Sequence, residues 1–363
     1  MTYDYIVVGA GQAGLSMAYH LKQAGFNFLV IDGDNEIGGS WLRRWDSLTL
    51  FTPSQYNNLP GMDFPMAEGH YPDKNEVADY LKKYVKTFDL PIRFNCKADK
   101  MTRVNDTYHV DTPMGQLKAS NVVVATGPFH TPFTPKFNTQ LSKDIVQLHA
   151  CEYKNPGQLQ DGETLVVGAG DSGVQILSEI ADTDRKVYFS GNCSTAMLPQ
   201  EFLGKTLWWW LGKLGILSAS KHSWLGKQLS TRMQPVIGTN LKKILAKSNV
   251  ATVGRSLDGK GHTIDFEVGQ IDSIKNIVWA TGFRPNFSWI NNVTLDEKGY
   301  PENQRGIGKQ EGLYFIGLPW MHTRGSATLG GVQNDAKFLM EHFLTEHNEQ
   351  TDIDVEMEGA LAS

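Results

Sequence analysis

Cysteine is scarce in this chain and unpaired: three residues, Cys96, Cys151 and Cys193, among 363. No C-x-x-C or similar close pair exists, so a dithiol relay is excluded on chemical grounds. The odd, scattered set makes neither a disulfide framework nor a metal-ligand spacing, and no metal is expected. There is no basic block either, and the net charge is -5, which argues against nucleic acid as a partner. No apolar run reaches the roughly 18 residues that span a bilayer. The stickiest stretch, Leu207-Trp208-Trp209-Trp210-Leu211, is closed by Lys205 and Lys213. A strand pattern that starts at Tyr3 is read as leaving no room for a signal peptide. These absences together suit a reducing cytoplasm. What remains is ordinary for a globular enzyme, 40% hydrophobic and 20% charged, and long enough for about two domains.

What is present is a pair of glycine fingerprints. Gly9-Ala10-Gly11-Gln12-Ala13-Gly14 follows the apolar run Tyr5 to Val8, and Gly168-Ala169-Gly170-Asp171-Ser172-Gly173 follows Leu165 to Val167. Each has the strand–turn–helix context that G-x-G-x-x-G requires. The first glycine makes the tight turn, the second admits a pyrophosphate close to backbone, and the third lets helix pack on strand. The pyrophosphate then sits at the positive end of a helix. Two such motifs a domain apart point to two dinucleotides, a flavin and a nicotinamide.

Residues 5–31 read as a β-α-β unit with a helix from about Ala13 to Gly25 and a strand Phe28–Ile31. Asp32 then stands near the ~20-residue offset of an acid that binds a ribose hydroxyl. Residues 50–75 read as a long irregular loop, which inside a compact domain is more often functional than idle. A helix is expected over Asn75–Phe88, then strands near Ile92–Asn95, Thr102–Asn105 and Tyr108–Thr112. A buried strand follows, ending in the small-residue turn Ala125-Thr126-Gly127. The second nucleotide unit starts near Glu163, with its distal strand at Lys186–Ser190. Residues 196–250 read as a helical excursion whose tryptophans either line a substrate channel or, the favoured reading, pack it on the domain below, a membrane-surface role being the weaker alternative because glycines interrupt the helical period. Strands resume near Thr252 and at Thr263–Val268. Ile277 to Gly282 then echoes 122–127 and marks the return to the first domain. A strand at 313–317, a helix about Val332–Thr345 and a frayed acidic tail after Glu346 close the chain. The predicted fold class is α/β, with two dinucleotide-binding Rossmann-like domains. The FAD domain (1–150 and 278–363) is discontinuous, and the nicotinamide domain (151–277, helical insert about 196–250) fills the gap.

Over nearly its whole length the chain resembles the flavin-containing monooxygenases, of short bacterial type, with plant auxin-biosynthetic relatives. The resemblance rests on both glycine motifs, Ile37-Gly38-Gly39-Ser40-Trp41, Trp45-Asp46-Ser47-Leu48, Leu59-Pro60-Gly61, both A-T-G turns and Phe315-Ile316-Gly317-Leu318-Pro319-Trp320. It implies FAD at Gly9, Gly11, Gln12, Ala13, Gly14 and Asp32, with Gly39, Ser40, Trp41, Thr126, Gly127 and Trp320. It implies NADPH or NADH at Gly168, Gly170, Asp171, Ser172, Gly173, Ser190, Asn192, Thr281 and Gly282. The family's F-x-G-x-x-x-H-x-x-x-Y fingerprint is half present: His149 and Tyr153 match its end, while Lys143 and Ile145 stand at its start. The family places an oxygen-activating asparagine in the loop after G-G-x-W. Here Thr52 stands nearest in register, with Asn57 further on. Thr52, Asn57 and His149 are the catalytic candidates.

After the distal strand the second unit reads Ser190-Gly191-Asn192, with neither the acid of an NAD site nor the arginine of an NADP site. Relaxed selectivity is expected, unless an arginine such as Arg232 reaches in from the insert. The implied reaction passes hydride from nicotinamide to FAD. A C4a-(hydro)peroxyflavin then delivers one oxygen atom of O2 to a small soft nucleophile: a sulfide, an amine or, by Baeyer–Villiger insertion, a ketone. Phe51, Tyr56, Trp208 and Trp320 are the aromatic residues expected to favour apolar substrates. The rival readings are an NAD(P)H oxidase or reductase and a cofactor-binding sensor without turnover. A homodimer is the family's expectation.

Overall fold

The run Tyr5 to Val8 is apolar on both faces, and β1 (Tyr3–Val8) lies mid-sheet with all four residues buried. α1 (Gln12–Ala24) follows and stops at Gly25, whose left-handed φ of +79° needs glycine. β2 (Phe28–Ile31) returns parallel to β1, with Val8 opposite Ile31. α2 (Lys74–Phe88) starts at a capping box made by Asp73 and Glu76. β3 (Gly115–Val124) pairs parallel with the other side of β1. The computed structural model describes residues 2–193, 196–231 and 235–361, the stretch 350–361 by its backbone alone. Ser194, Thr195 and Arg232 lie outside the described residues.

The chain then leaves this sheet through β4 (Thr131–Pro132) and builds a second one from β5 (Val146–His149), β6 (Glu163–Val167), α3 (Asp171–Ala181), β7 (Val187–Ser190), β8 (Val250–Thr252) and β9 (Ile274–Trp279). These five strands are all parallel, in the order β8-β7-β6-β9-β5. The chain returns through β10 (Phe283–Arg284), which pairs antiparallel with β4. β11 (Leu313–Phe315) lies beside β3, and α4 (Gln333–Leu361) packs against α1. The first sheet has nine strands in all. The fold is α/β: two Rossmann-like units, the second inserted into the first.

Three expectations shift. β5 falls on the first-domain side of the expected boundary at 150/151, yet it pairs with β9 in the second sheet, His149 opposite Trp279. β9 likewise runs past the expected boundary at 277/278, so the crossing is the β4–β10 ribbon. The insert is not simply helical. It holds short helices at Leu207–Lys213, Trp224–Thr231 and Leu241–Leu245, and strands at Met197–Leu198, Glu201–Phe202, Lys205–Thr206 and Val236–Ile237. Its glycines break the helical period. The tail after Glu346 continues as helix to Leu361, since it has no proline and its only glycine is Gly359.

Candidate active site

The two glycine turns are built alike. Gly9 and Gly168 have φ of +111° and +125°, and a Cβ there would lie 2.7 Å from the Ala125 carbonyl oxygen and 2.2 Å from that of Ala280. Each first glycine therefore lets a neighbouring A-T-G turn approach. A Cβ on Gly14 or Gly173 would lie 1.8 or 2.1 Å from the carbonyl oxygen of Gly9 or Gly168, which locks helix to strand. The middle glycines differ: among the described residues, chain neighbours aside, nothing lies within 4 Å of a Cβ placed on Gly11 or Gly170. These two residues are the N-caps of α1 and α3, and neither helix start has a side-chain cap. Each turn thus offers open space in front of uncapped helix N–H groups, the arrangement that suits a pyrophosphate.

One cleft of about 1240 Å³ joins both turns. Along it lie Gly9, Gly11, Gln12, Ala13 and Asp32 from the first unit, Gly39, Ser40 and Trp41, and the Thr126-Gly127 turn. Gly170, Asp171, Ser172, Gly173 and Gly282 from the second unit line the same cleft, together with Thr52, Asn57 and His149. The carboxylate of Asp32 accepts from Ala10 N at 2.5 Å and Asp34 N at 2.7 Å, so it anchors the turn as well as facing the cleft. Asn57 is buried and its Nδ2 donates to Thr52 O at 2.9 Å and Pro53 O at 3.3 Å. With both N–H donors spent on the loop, the amide oxygen is the capacity it has left.

His149 is buried in the crossing. Its Nε2 lies 3.0 Å from Gly282 O, an acceptor only, so Nε2 carries the proton and Nδ1 accepts from Cys151 N at 3.3 Å. Burial pushes its pKa below the ordinary histidine value, which favours this neutral tautomer. Both nitrogens thus work within the protein, tying β5 to the return crossing. Burial also pushes the Asp171 carboxyl up; Asp171 Oδ1 accepts from Ile237 N at 3.2 Å, which pins the insert to the start of α3.

Six expected site residues are not on the cleft wall. Gly14 and Gly168 sit behind the turns in the packing roles above. Ser190 is buried, accepting from Ser256 N at 2.9 Å and sharing a hydroxyl bond with Ser256 at 2.8 Å. Thr281 donates its hydroxyl to Phe133 O. Asn192 is exposed, and Trp320 is half-buried with its backbone left-handed at φ +54°. Of the expected aromatic lining only Phe51 reaches the cleft. Trp208 stacks behind it at 6.1 Å and donates Nε1 to Phe51 O at 3.0 Å, with Tyr56 alongside, so this tryptophan does pack the insert on the domain below.

The structure adds three residues to which the sequence assigned no site role. Arg44 sits between the two crossings, its guanidinium 5.5 Å from the Phe129 ring and 5.6 Å from the Phe283 ring. His130 accepts from Asn286 N at 2.8 Å and donates to Thr126 Oγ1 at 3.1 Å. Trp45 lines the cleft with a buried Nε1 that has no hydrogen-bond partner among the described residues, a donor left for a bound acceptor. Phe129 and Phe283 for Arg44, and Asn286 for His130, lie far along the chain, so no local pattern announces these contacts.

With this geometry in view, three comparisons bear on it. The sequence profile of the pyridine nucleotide-disulphide oxidoreductase family matches residues 6–196. The chain is 42% identical over 343 residues to a protein of Geobacillus kaustophilus named as an uncharacterized CzcO-like oxidoreductase, covering 94% of this chain and 98% of that one. It is 29% identical over 356 residues to a probable indole-3-pyruvate monooxygenase, YUCCA9 of Arabidopsis thaliana, covering 86% and 83%. Its fold matches that of a flavin-containing monooxygenase from Stenotrophomonas maltophilia with a TM-score of 0.78 at 24% identity, over 95% and 99% of the two chains.

Proposed function

Because the chain belongs to the pyridine nucleotide-disulphide oxidoreductase family, and within it to the flavin-containing monooxygenases, we propose that it uses NADPH or NADH and O2 to oxygenate a small soft nucleophile, a sulfide first, at a bound FAD. The carrying observation is the single cleft that runs from one glycine turn past Thr52 and Asn57 to the other. The open positions at Gly11 and Gly170 and the orphan Trp45 Nε1 fit a flavin dinucleotide at the first turn and a nicotinamide dinucleotide at the second. Bound FAD supplies the chemistry: reduced by hydride from the nicotinamide, it lets O2 give one atom to substrate and the other to water.

The chain's own residues do the rest. Gly11, Gln12 and Ala13 present helix N–H groups to a pyrophosphate, and Asp32 stands at the ribose end. Asn57 holds the loop closed through Thr52 and Pro53, with its amide oxygen left for a proton donor in the cleft. Phe51, backed by Trp208, and Trp41 exclude water, without which reducing equivalents leave as peroxide. His149 positions the crossing and exchanges no proton with substrate. The cysteines fit the same reading: Cys151 is held up in pKa by burial and has no cysteine beside it, so disulfide reduction has no second thiol.

Selectivity between donors is relaxed in this reading, because Ser190 is spent on Ser256 and Gly191 carries no charge. A cation beside that rim is Arg255, next in chain to Ser256 and exposed, available to a 2′-phosphate without a fork of fixed geometry. The test is donor consumption by FAD-loaded protein in air with methyl phenyl sulfide, tracking sulfoxide and peroxide with each donor. Sulfoxide formed in proportion to donor supports the reading. Peroxide alone across sulfides, amines and ketones refutes it in favour of an oxidase.

A further inference from the structure

Charge is distributed very unevenly in this molecule. Residues 196–250 carry seven lysines and one arginine against a single acid, Glu201. That segment has a net charge of +7 in a chain whose total is -5, which leaves -12 on the rest. Within it stands an apolar tip. The ribbon Glu201–Phe202 and Lys205–Thr206 turns through Leu203 and Gly204, both at positive φ, +49° and +71°. A tight turn of this kind suits Asn-Gly. Here a leucine occupies the left-handed position and is 75% exposed, beside Phe202 at 55%. Local backbone preference and burial are both violated at one residue, which is expected where a surface has work to do.

The tip continues into the next helix. Trp210 Nε1 donates to Phe202 O at 2.9 Å, and the two rings meet edge-on at 6.3 Å. Trp209 stands edge-on to Trp210 at 4.8 Å, with the ammonium groups of Lys205 and Lys213 each 5.8 Å from its ring. Leu214, 65% exposed, follows. Core packing accounts for the helix's inner side, where Leu207, Trp208 and Leu211 are buried toward Phe51 and Tyr56. It does not account for the outer side.

We propose that this tip docks the enzyme on an anionic lipid membrane. Phe202 and Leu203 enter the boundary between headgroups and acyl chains, Trp209 and Trp210 lie at that boundary, and Lys205 and Lys213 reach the lipid phosphates along their apolar stems. Among the described residues no helix is long and apolar enough to cross a membrane, so the attachment is peripheral. A two-fold contact between copies through the same surface would bring Lys205 and Lys213 of one copy against those of the other, which opposes self-association there.

The test is sedimentation of the full FAD-loaded chain with vesicles of phosphatidylglycerol and phosphatidylcholine, and separately of phosphatidylcholine alone, at low and high salt. Binding to the anionic vesicles only, lost at high salt, is expected. Replacing both Lys205→Gln and Lys213→Gln lowers partition roughly 25-fold, at about fivefold per lysine. Leu203→Asn also lowers it while thermal stability is kept or raised, since asparagine accepts the left-handed turn, and donor oxidation in solution is unchanged. The proposal falls if anionic vesicles do not retain the protein, if neutral vesicles retain it equally, or if these variants bind as the parent does. It falls equally if sedimentation velocity shows a dimer that Leu203→Asn dissolves.

Discussion

Two alanine substitutions, Gly11→Ala and Gly170→Ala, separate ligand binding from folding at each glycine turn. At both positions the new Cβ meets no protein atom within 4 Å, and the backbone is extended, at φ -76° and -84°, which alanine adopts freely. Alanine is a slightly poorer N-cap than glycine, while the unfolded chain loses about 0.4–1 kcal/mol of entropy advantage. The two effects nearly cancel, so the stability of the ligand-free protein should move by less than about 0.5 kcal/mol. The space the methyl fills is the space a pyrophosphate would occupy. A forced fit of that kind costs about 1–3 kcal/mol, or roughly 5- to 150-fold in affinity. Gly11→Ala should therefore weaken FAD, read by flavin fluorescence on titration of the apo-protein. Gly170→Ala should keep FAD and raise the KM for NADPH and NADH. A Gly170→Ala protein that loses flavin but binds donor normally would refute the assignment of the two turns. So would full FAD affinity in Gly11→Ala. Gly14→Ala and Gly173→Ala are the contrast: a Cβ at about 2 Å from a carbonyl oxygen should prevent folding whether or not ligand is supplied.

Asn57→Leu removes both amide donors from the Thr52 and Pro53 carbonyls at a buried position, a cost of about 1–3 kcal/mol; the product formed per donor oxidised should fall and peroxide should rise. Arg255→Ala should raise the KM for NADPH by about 10-fold while leaving NADH nearly unaffected, by the loss of roughly 1.4 kcal/mol of charge attraction; equal effects on both donors would remove Arg255 from the 2′-phosphate rim. His149→Phe should lower Tm, through loss of a bond to Gly282 O worth about 1 kcal/mol, without flattening the pH profile of kcat as removal of a general base would. Burial lowers the pKa of His20, His130, His149 and His322 below the ordinary 6.5. Below that value the unfolded chain binds protons that the folded one refuses, so Tm should fall as pH drops from about 6.5 toward the lowered folded-state values, and be flat above it with respect to these groups.

The helix, strand and turn pattern of each nucleotide unit was legible in the sequence, because the third glycine of each motif is required by an atom a few residues away: Gly14 by the Gly9 carbonyl, Gly173 by that of Gly168. The apolar runs at Tyr5–Val8 and Leu165–Val167 announced central parallel strands for the same local reason, and from these the α/β architecture followed. The scarcity of cysteine excluded a dithiol relay without any structure. The return crossing directly after the second A-T-G turn was legible, at Phe283–Arg284, but the outgoing boundary was not, since β5 is placed by pairing with β9 some 130 residues later. Nor were the fates of single polar residues. Ser190 and Thr281 looked like ligand contacts, but one is spent on Ser256 and the other on Phe133. Arg44 and His130 acquire their places only when the two crossings meet. Sequence pattern reports on interactions within a turn or a strand, whose partners the chain itself brings close. The cleft is made by contacts between segments a hundred residues apart, and only tertiary packing decides which of two similar side chains faces it.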